Sequence, residues 1–219
     1  MSTRVSSHQR PRDQRTALCD ALDAVEPGAP TLCEGWTAHD IAAHVWVREN
    51  EWLQVAPALL CGRRDRIDEL RHRVMRERSY SDLVAVLRLG PQGLSPFRLP
   101  GAEAAANGVE FFVHCEDLRR GRGVNTPRER DAALENQIWR RLPMLARFGL
   151  RRCPVAVWLE RDIGDGEPVR IGHGPDIVTL SGPPTEILLY LWGRRAAANV
   201  DVIGEPASVS TLERSVLGI

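Results

Sequence analysis

The stretch Asn107-Gly-Val-Glu110-Phe-Phe-Val-His114-Cys-Glu-Asp117 decides the fold that we expect for this chain. Its apolar side chains lie on nearly every side of a helix, which indicates a helix buried in a bundle. Positions four residues apart share one helix face, so Glu110 and His114 point in the same direction. A buried carboxylate and a buried imidazole cost free energy unless they are paired or bind a metal. The segment therefore predicts a polar site inside a helical bundle.

The polar stripe continues through Asn107 and Asp117, one turn before and one turn after this pair. Such a line through an apolar helix is typical of metal ligands and of the residues that orient them. We therefore expect Asn107 to contact a cofactor. The alternative is a buried pair between Glu110 and an arginine, with His114 as a bystander. The chain has 29 basic residues, all of them arginine, that could supply this partner.

A third candidate ligand, His44, lies in a helical segment that begins at Thr37. Thr37 is a favourable N-cap residue, and Asp40 follows it at the spacing of a capping box. Together with Glu110 and His114, His44 would complete a His/Glu/His set, the ligand type of a zinc site with an open position. A hydrogen-bonded core histidine is the alternative, and it is the commoner role of a lone histidine beside an apolar stripe.

The composition excludes several classes of protein. The chain has 219 residues, 43% of them hydrophobic, and a formal net charge of zero. A neutral chain lacks the electrostatic footprint of a nucleic-acid or anionic-membrane binder. No apolar run reaches membrane-spanning length, and the polar, arginine-rich start does not resemble a secretory signal. Five cysteines without a Cys-x-x-Cys pair favour reduced thiols, so we expect a cytoplasmic protein.

Apolar spacing of the helical period predicts an up-down four-helix bundle over residues 1–152, in which four of the helical segments are the main helices. The predicted helices cover residues 18–25, 37–62 with a kink or end at Pro57, 67–89, 102–120, and a last stretch from Thr126 with a kink at Pro143.

The pattern changes at Cys153, and residues 153–219 predict a small α+β domain. The turn dipeptide Asp165-Gly166 separates its first two strands. The predicted strands are 155–159, 169–171, 177–180 and 200–203, with helices from Pro183 or Pro184 to Trp192 and over 206–214. The fold class that we expect is therefore α+β.

Residues 37–45 have a superficial similarity to a helix-turn-helix segment, which would indicate DNA binding. Such a motif needs a turn after its first helix. Here the helical pattern continues through Trp52, and no basic recognition helix follows. We therefore expect no nucleic-acid partner. Two thiols lie near the candidate ligands, and we expect both to be core residues: Cys115 is rotated by about 100° from His114 on the helix, and Cys33 precedes the His44 helix.

At these residues the chain resembles a known family. The run Thr31-Leu-Cys-Glu-Gly-Trp-Thr37, the segment from Asp40 to His44 and the run Glu110-Phe-Phe-Val-His114 resemble the mycothiol-dependent maleylpyruvate isomerase family of the DinB-like helical-bundle superfamily. More narrowly, the chain is similar to an actinobacterial branch of metal-binding proteins. That branch often has a second histidine where Cys115 stands.

The resemblance implies a bundle that binds a divalent metal, typically zinc, through His44, Glu110 and His114, followed by a small C-terminal α+β domain. It further implies that the metal binds the thiol of mycothiol, which would add to a small electrophilic substrate in thiol transfer or isomerisation. Arg48 and Arg194 are the candidate catalytic residues, because arginine orients acidic groups by bidentate contacts. Their alternative is a surface or inter-domain salt bridge. A metal- or ligand-binding protein without catalysis is the second hypothesis for the whole chain.

Overall fold

The computed structural model describes residues 9–93, 95–98, 107–163 and 167–217. They belong to two compact units, Met1–Asn125 and Thr126–Ile219, each described here by itself. The sequence places the division near residue 152 instead. The difference arises from the helix Ala132–Gly149, which packs against a helix and a strand of the second unit. The predicted α+β class is confirmed: a helical unit precedes a unit with a four-stranded sheet.

The described part of the first unit is helical. Its six α-helices are α1 (Gln9–Asp23), α2 (Ala38–Asn50), α3 (Trp52–Leu60), α4 (Arg64–Glu77), α5 (Tyr80–Leu89) and α6 (Gly108–Gly121). Helix α1 packs on α5 and α6, and α2 packs on α3, α4 and α5. Aliphatic side chains from these helices, together with Phe111 of α6, form one continuous core.

The predicted capping box starts α2. The Thr37 hydroxyl accepts the Asp40 backbone N–H, and the Asp40 carboxylate accepts the Thr37 N–H at 2.9 Å. The same carboxylate also pairs with Arg71 of α4. Asp40 is therefore fully engaged in capping and in fixing α4.

Two long predicted helices are divided. The segment 37–62 breaks at Glu51, and Pro57 lies inside the second half, α3. The segment 67–89 breaks before Ser79, whose hydroxyl accepts the Asp82 N–H and caps α5. The predicted helix 102–120 is observed as α6 from Gly108, and its predicted beginning lies outside the described residues.

The second unit begins with α7 (Ala132–Gly149), whose N-cap is Asp131 and not the predicted Thr126, because the Asp131 carboxylate accepts two backbone N–H groups of the first turn. Pro143 lies inside α7. The remaining elements are β1 (Ala156–Arg161), β2 (Val169–Ile171), β3 (Ile177–Gly182), α8 (Pro184–Leu191), β4 (Asp201–Gly204) and α9 (Pro206–Arg214).

The sheet has the strand order β2-β1-β3-β4. Strand β1 pairs antiparallel with β2 and parallel with β3, and β4 pairs antiparallel with β3. The four predicted strands and both C-terminal helices are observed within one or two residues. The predicted turn at Asp165-Gly166 lies outside the described residues. In the part of the chain that the structure describes, none of the helices has the length and apolarity needed to cross a bilayer.

Candidate metal centre

Two helices of the first unit bring the candidate ligands together. Helix α2 presents His44 and Arg48 one turn apart, and α6 presents Glu110 and His114 at the same spacing. The rings of His44 and His114 meet edge to face, with centroids 5.1 Å apart. One donor atom from each of His44, Glu110 and His114 lies within 4.8 Å of the other two. The structure therefore gathers the residues that the sequence predicted as ligands.

The two oxygens of the Glu110 carboxylate face different partners. Oε2 lies 3.4 Å from Nε2 of His114 and 4.0 Å from Nε2 of His44. Oε1 lies 3.5 Å from Nη1 of Arg48. The arginine partner that was the alternative to metal binding is thus present, but it occupies one oxygen, and the other faces both imidazoles.

Electrostatics favour the ionised form of Glu110. Burial raises the pKa of its carboxyl group, but the charge of Arg48 and then the two imidazoles outweigh that effect, so the pKa lies well below its usual range. For His114, burial lowers the pKa, while the nearby Asp117, Cys33 and Glu110 outweigh that effect and raise the pKa above the ordinary value. The site thus concentrates negative charge around the His114 ring.

Asp117 orients that ring. Its buried Oδ2 lies 3.0 Å from Nδ1 of His114 and accepts a hydrogen bond from it. A histidine that binds a metal typically donates its other ring N–H to a carboxylate in this way. Nε2 of His114 is buried and makes no hydrogen bond to any described residue. Its position opposite a carboxylate oxygen requires a positive charge between the two atoms, which either a proton or a metal ion can supply.

Those observations fit a zinc ion. Two imidazoles and one carboxylate are the ligands of many zinc sites that keep a further position for water or substrate. The hydrogen bond between Nδ1 and Asp117 orients the His114 ring as such sites need. A bond from Nε2 to the metal would explain why this buried nitrogen makes no hydrogen bond to a described residue. The donor set, taken with that buried nitrogen, therefore suits a divalent metal.

An aromatic wall that the sequence analysis did not identify lies beside the two imidazoles. The ring of Trp36 lies 5.1 Å from that of His44 and stacks on that of His114 at 6.5 Å. The guanidinium of Arg71 lies over the Trp36 ring, 4.5 Å from its centroid. Trp36 belongs to the run Thr31–Thr37, on which the family resemblance partly rests. Its place in that run is the sequence signal that could have identified it as a site residue.

A buried polar network supports Arg48. Its Nε donates to Oδ1 of Asn107 at 3.3 Å, and Nδ2 of Asn107 donates to Oε1 of Glu49 at 2.8 Å. Arg15 completes the network with a bidentate pair to Glu49, at 2.6 and 2.9 Å. Asn107 is fully buried, and both ends of its amide are engaged within the protein. This geometry favours a positioning role for Asn107 over the predicted contact with a cofactor.

Arg194 and the two cysteines near the candidate ligands have the following contacts. Arg194 belongs to the second unit, where its Nη1 donates to the backbone carbonyl of Trp192 at 2.6 Å. Cys115 is buried, with Sγ 3.8 Å from the Ala17 carbonyl oxygen, as expected of a core residue. Cys33 is only partly buried, and its Sγ lies 3.3 Å from Oδ2 of Asp117. Cys33 therefore contacts the carboxylate that orients His114.

Comparisons with known proteins agree with this architecture. Two solved structures share the fold over 94% of this chain and 97% of their own length. One is the mycothiol-dependent maleylpyruvate isomerase, with 18% identity and a TM-score of 0.54. The other is a histidine-to-alanine variant of the enzyme of the same name, with 19% identity and a TM-score of 0.55. Curated protein sequences give no match.

A sequence family provides the remaining comparison. The model of the mycothiol maleylpyruvate isomerase N-terminal domain matches residues 9–95. This region includes the His44 helix and ends before the helix of Glu110 and His114. The predicted resemblance to this family is confirmed over residues 9–95, which match the model of its mycothiol maleylpyruvate isomerase N-terminal domain.

Proposed function

We propose that the chain is a zinc-dependent enzyme that activates a low-molecular-weight thiol such as mycothiol. The activated thiol would serve in transfer to, or isomerisation of, a small electrophilic substrate. The observation that carries the proposal is the convergence of His44, Glu110 and His114 around a buried, unsatisfied Nε2. The thiol and the reaction class are suggested by the family of residues 9–95 and by the named activity of the two structural neighbours.

Zinc, when bound, would supply Lewis acidity that deprotonates a coordinating thiol. The chain's own residues prepare the site for that chemistry. Asp117 accepts the Nδ1 proton of His114, so the lone pair of Nε2 would be available to the metal when it binds. Arg48 occupies Oε1 of Glu110 and leaves Oε2 facing the imidazoles.

Trp36 has a further proposed role beside the reacting groups. The Trp36 ring covers one side of the imidazole pair and limits the access of water from that side. The role of Arg194 in orienting an acidic group of the thiol or of the substrate stays a prediction from the sequence, based on the bidentate binding of carboxylates by a guanidinium.

Metal content tests the proposal. The protein as purified should contain stoichiometric zinc, and His44→Ala, Glu110→Ala and His114→Ala should each lose it. The matched control is His173→Ala, because His173 is exposed and lies in the second unit. Circular dichroism would establish that each variant is folded. Full metal content in all three ligand variants would contradict the proposal.

Turnover is the second measurement. The zinc-loaded protein would be incubated with mycothiol and a panel of small electrophiles, and adducts or isomers would be identified by mass spectrometry. Product formation that disappears on zinc removal supports an enzyme. Tight zinc binding without turnover of any electrophile would instead indicate a metal- or ligand-binding protein without catalysis.

A further inference from the structure

One proposed metal ligand, His44, lines a small cavity between α2, α3 and α4. Its described walls are His44 and Arg48 from α2, Val55 and Leu59 from α3, and Ile67 from α4. His44 and Arg48 are four positions apart on α2, and Val55 and Leu59 are four positions apart on α3. Each of these pairs therefore lies on one face of its helix. The α2 wall is polar, whereas the α3 and α4 walls are aliphatic.

The size of the cavity limits its occupant. Its volume is about 40 Å³. Since one water needs roughly 10–15 Å³ of such space, the cavity has room for about three or four non-hydrogen atoms. A sugar- or peptide-sized thiol does not fit, and the aliphatic walls offer it no hydrogen bond. The cavity is therefore suited to a short fragment of a small molecule.

The charge of the cavity limits its occupant further. Among the described wall residues, Arg48 is the only permanently charged one, and its guanidinium faces Oε1 of Glu110 at 3.5 Å. The positive charge at the wall is thus largely balanced by a carboxylate of the protein. Apart from the proposed zinc, the described wall residues offer no second cation for a ligand with two carboxylates. Aliphatic carbon is instead well matched to Val55, Leu59 and Ile67.

We propose that this cavity is the subsite for the aliphatic part of the electrophilic substrate. The substrate would be neutral or singly charged and would carry a segment of about three or four carbon atoms beside its reactive group. Naming the occupant as the substrate rests on the proposed function. The inference goes beyond it, because maleylpyruvate, the substrate in the name of the structural neighbours, carries two carboxylates.

Methyl NMR of the full-length protein tests the subsite without relying on activity. The protein, with and without added zinc, would be titrated with acetamide, butyramide, butyrate and succinate. The methyl signals of Val55, Leu59 and Ile67 would report binding. Each buried methylene contributes about a fourfold gain in affinity, so butyramide should bind roughly fifteenfold more tightly than acetamide. Succinate, a dianion of similar length, should bind at least tenfold more weakly than butyrate.

Two neighbouring leucines provide matched variants. Leu59 lines the cavity and is 52% exposed, whereas Leu60 is 89% exposed and lies outside the described walls. Both changes, Leu59→Asp and Leu60→Asp, place a carboxylate on an exposed position of the same helix. Leu59→Asp should weaken butyramide binding at least tenfold, whereas Leu60→Asp should leave it within twofold of the unmodified protein.

Three results would overturn the subsite: no saturable shift of the three methyl groups, succinate binding as tight as that of butyrate, or equal losses in the two variants. Zinc content separates this proposal from the proposed function. Saturable butyramide binding in a protein that never binds zinc would support an aliphatic subsite while the enzyme proposal fails. Stoichiometric zinc without butyramide binding would support the proposed metal site and contradict the proposed subsite.

Discussion

Nδ1 of His114 lies 3.0 Å from Oδ2 of Asp117, one turn further along the same helix. This contact joins a proposed metal ligand to a carboxylate that is completely buried. The carboxylate keeps the ring in one orientation and one tautomer, because the Nδ1 proton is held in the hydrogen bond. The proposed zinc affinity therefore depends on a residue that does not itself contact the metal.

Replacing Asp117 by Asn should weaken zinc binding without removing it. Loss of such a supporting carboxylate typically lowers metal affinity about 10- to 100-fold. Competition with a chromophoric chelator measures the change. Asp65→Asn is the control, since the same chemical change there affects an exposed side chain of α4. Equal zinc affinities in Asp117→Asn and the unmodified protein would show that Asp117 does not support the ligand.

The Arg15–Glu49 pair should contribute strongly to the stability of the metal-free protein. Both side chains are almost completely buried, so removing the Glu49 charge takes away the carboxylate that faces the buried Arg15 guanidinium. We expect Glu49→Gln to lower the free energy of unfolding by about 3–5 kcal/mol, as measured by urea denaturation. Glu69→Gln breaks the exposed pair with Arg66 and should cost at most about 1 kcal/mol.

A double variant, Arg15→Met with Glu49→Leu, separates charge from packing. Apolar residues of similar volume often restore the stability of a buried ion pair. Asn107 would then lose its partner at Glu49, so recovery should be incomplete by about 1–3 kcal/mol. If the single variant Glu49→Gln is as stable as Glu69→Gln, the network does not hold Arg48 in place in the way described.

Gly121, the last residue of α6, permits a close approach of two backbones. A Cβ at this position would lie 2.4 Å from Cα of Thr31 and 2.5 Å from its carbonyl carbon. Since backbone cannot move aside as a flexible side chain can, we expect Gly121→Ala to lower the free energy of unfolding by about 1–3 kcal/mol or more. Gly28→Ala is the control, because a Cβ there meets no atom within 4 Å. Thermal unfolding of the two variants compares them, and an equal melting temperature would contradict the close approach.

The two tyrosines should ionise only at unusually high pH. Burial, and then the nearby Asp23 and Glu26, raise the pKa of Tyr80 to about 12, and burial also raises the pKa of Tyr190. The phenol of Tyr80 donates to the Leu22 carbonyl at 2.7 Å, which further favours the neutral form. Absorbance at 295 nm should therefore show little tyrosinate at pH 10, the ordinary pKa of tyrosine, while the protein is folded.

The same shift predicts how stability depends on pH. The folded state holds the Tyr80 proton more tightly than the unfolded state, so the stabilisation is complete below about pH 10 and is lost as the pH rises toward 12. After allowance for partial solvent contact, the loss should be about 1–2 kcal/mol. Tyr80→Phe should remove this part of the pH dependence, as measured by urea unfolding at several alkaline pH values. An unchanged dependence in Tyr80→Phe would contradict the assignment.

Local signals in the sequence were sufficient for much of the fold. The capping box of Thr37 and Asp40 was predicted and is observed, because both partners lie within one turn. The helix Pro206–Arg214 and the strand Val169–Ile171 were predicted with the observed bounds. The break at Glu51 was missed because the apolar spacing continues on both sides of it. The Ser79 cap of α5 could have been found from Ser79 and Asp82, which have the spacing of an N-terminal cap.

For the candidate site too, local features could be predicted from the sequence, whereas contacts between distant segments could not. Glu110, His114 and Asp117 share one helix, so their common face follows from spacing alone. Contacts between distant segments do not follow from spacing, and the sequence offers 29 arginines as partners for Glu110 and Glu49. The packing of α1, α2 and α6 determines that Arg48 pairs with Glu110 and that Arg15 pairs with Glu49. The stacking of Trp36 on His114 has the same origin, since its partner is far away in the chain.

The placement of Asn107, Glu110, His114 and Asp117 on one side of α6 restricts how related chains can differ in length. Inserting or deleting a single residue between Glu110 and His114 would turn the rest of the helix by about 100° and point the imidazole away from the carboxylate. Connections outside this helix do not set the angular relation of the four side chains. In relatives that keep the site, gaps in a sequence alignment should therefore fall outside residues 107–117.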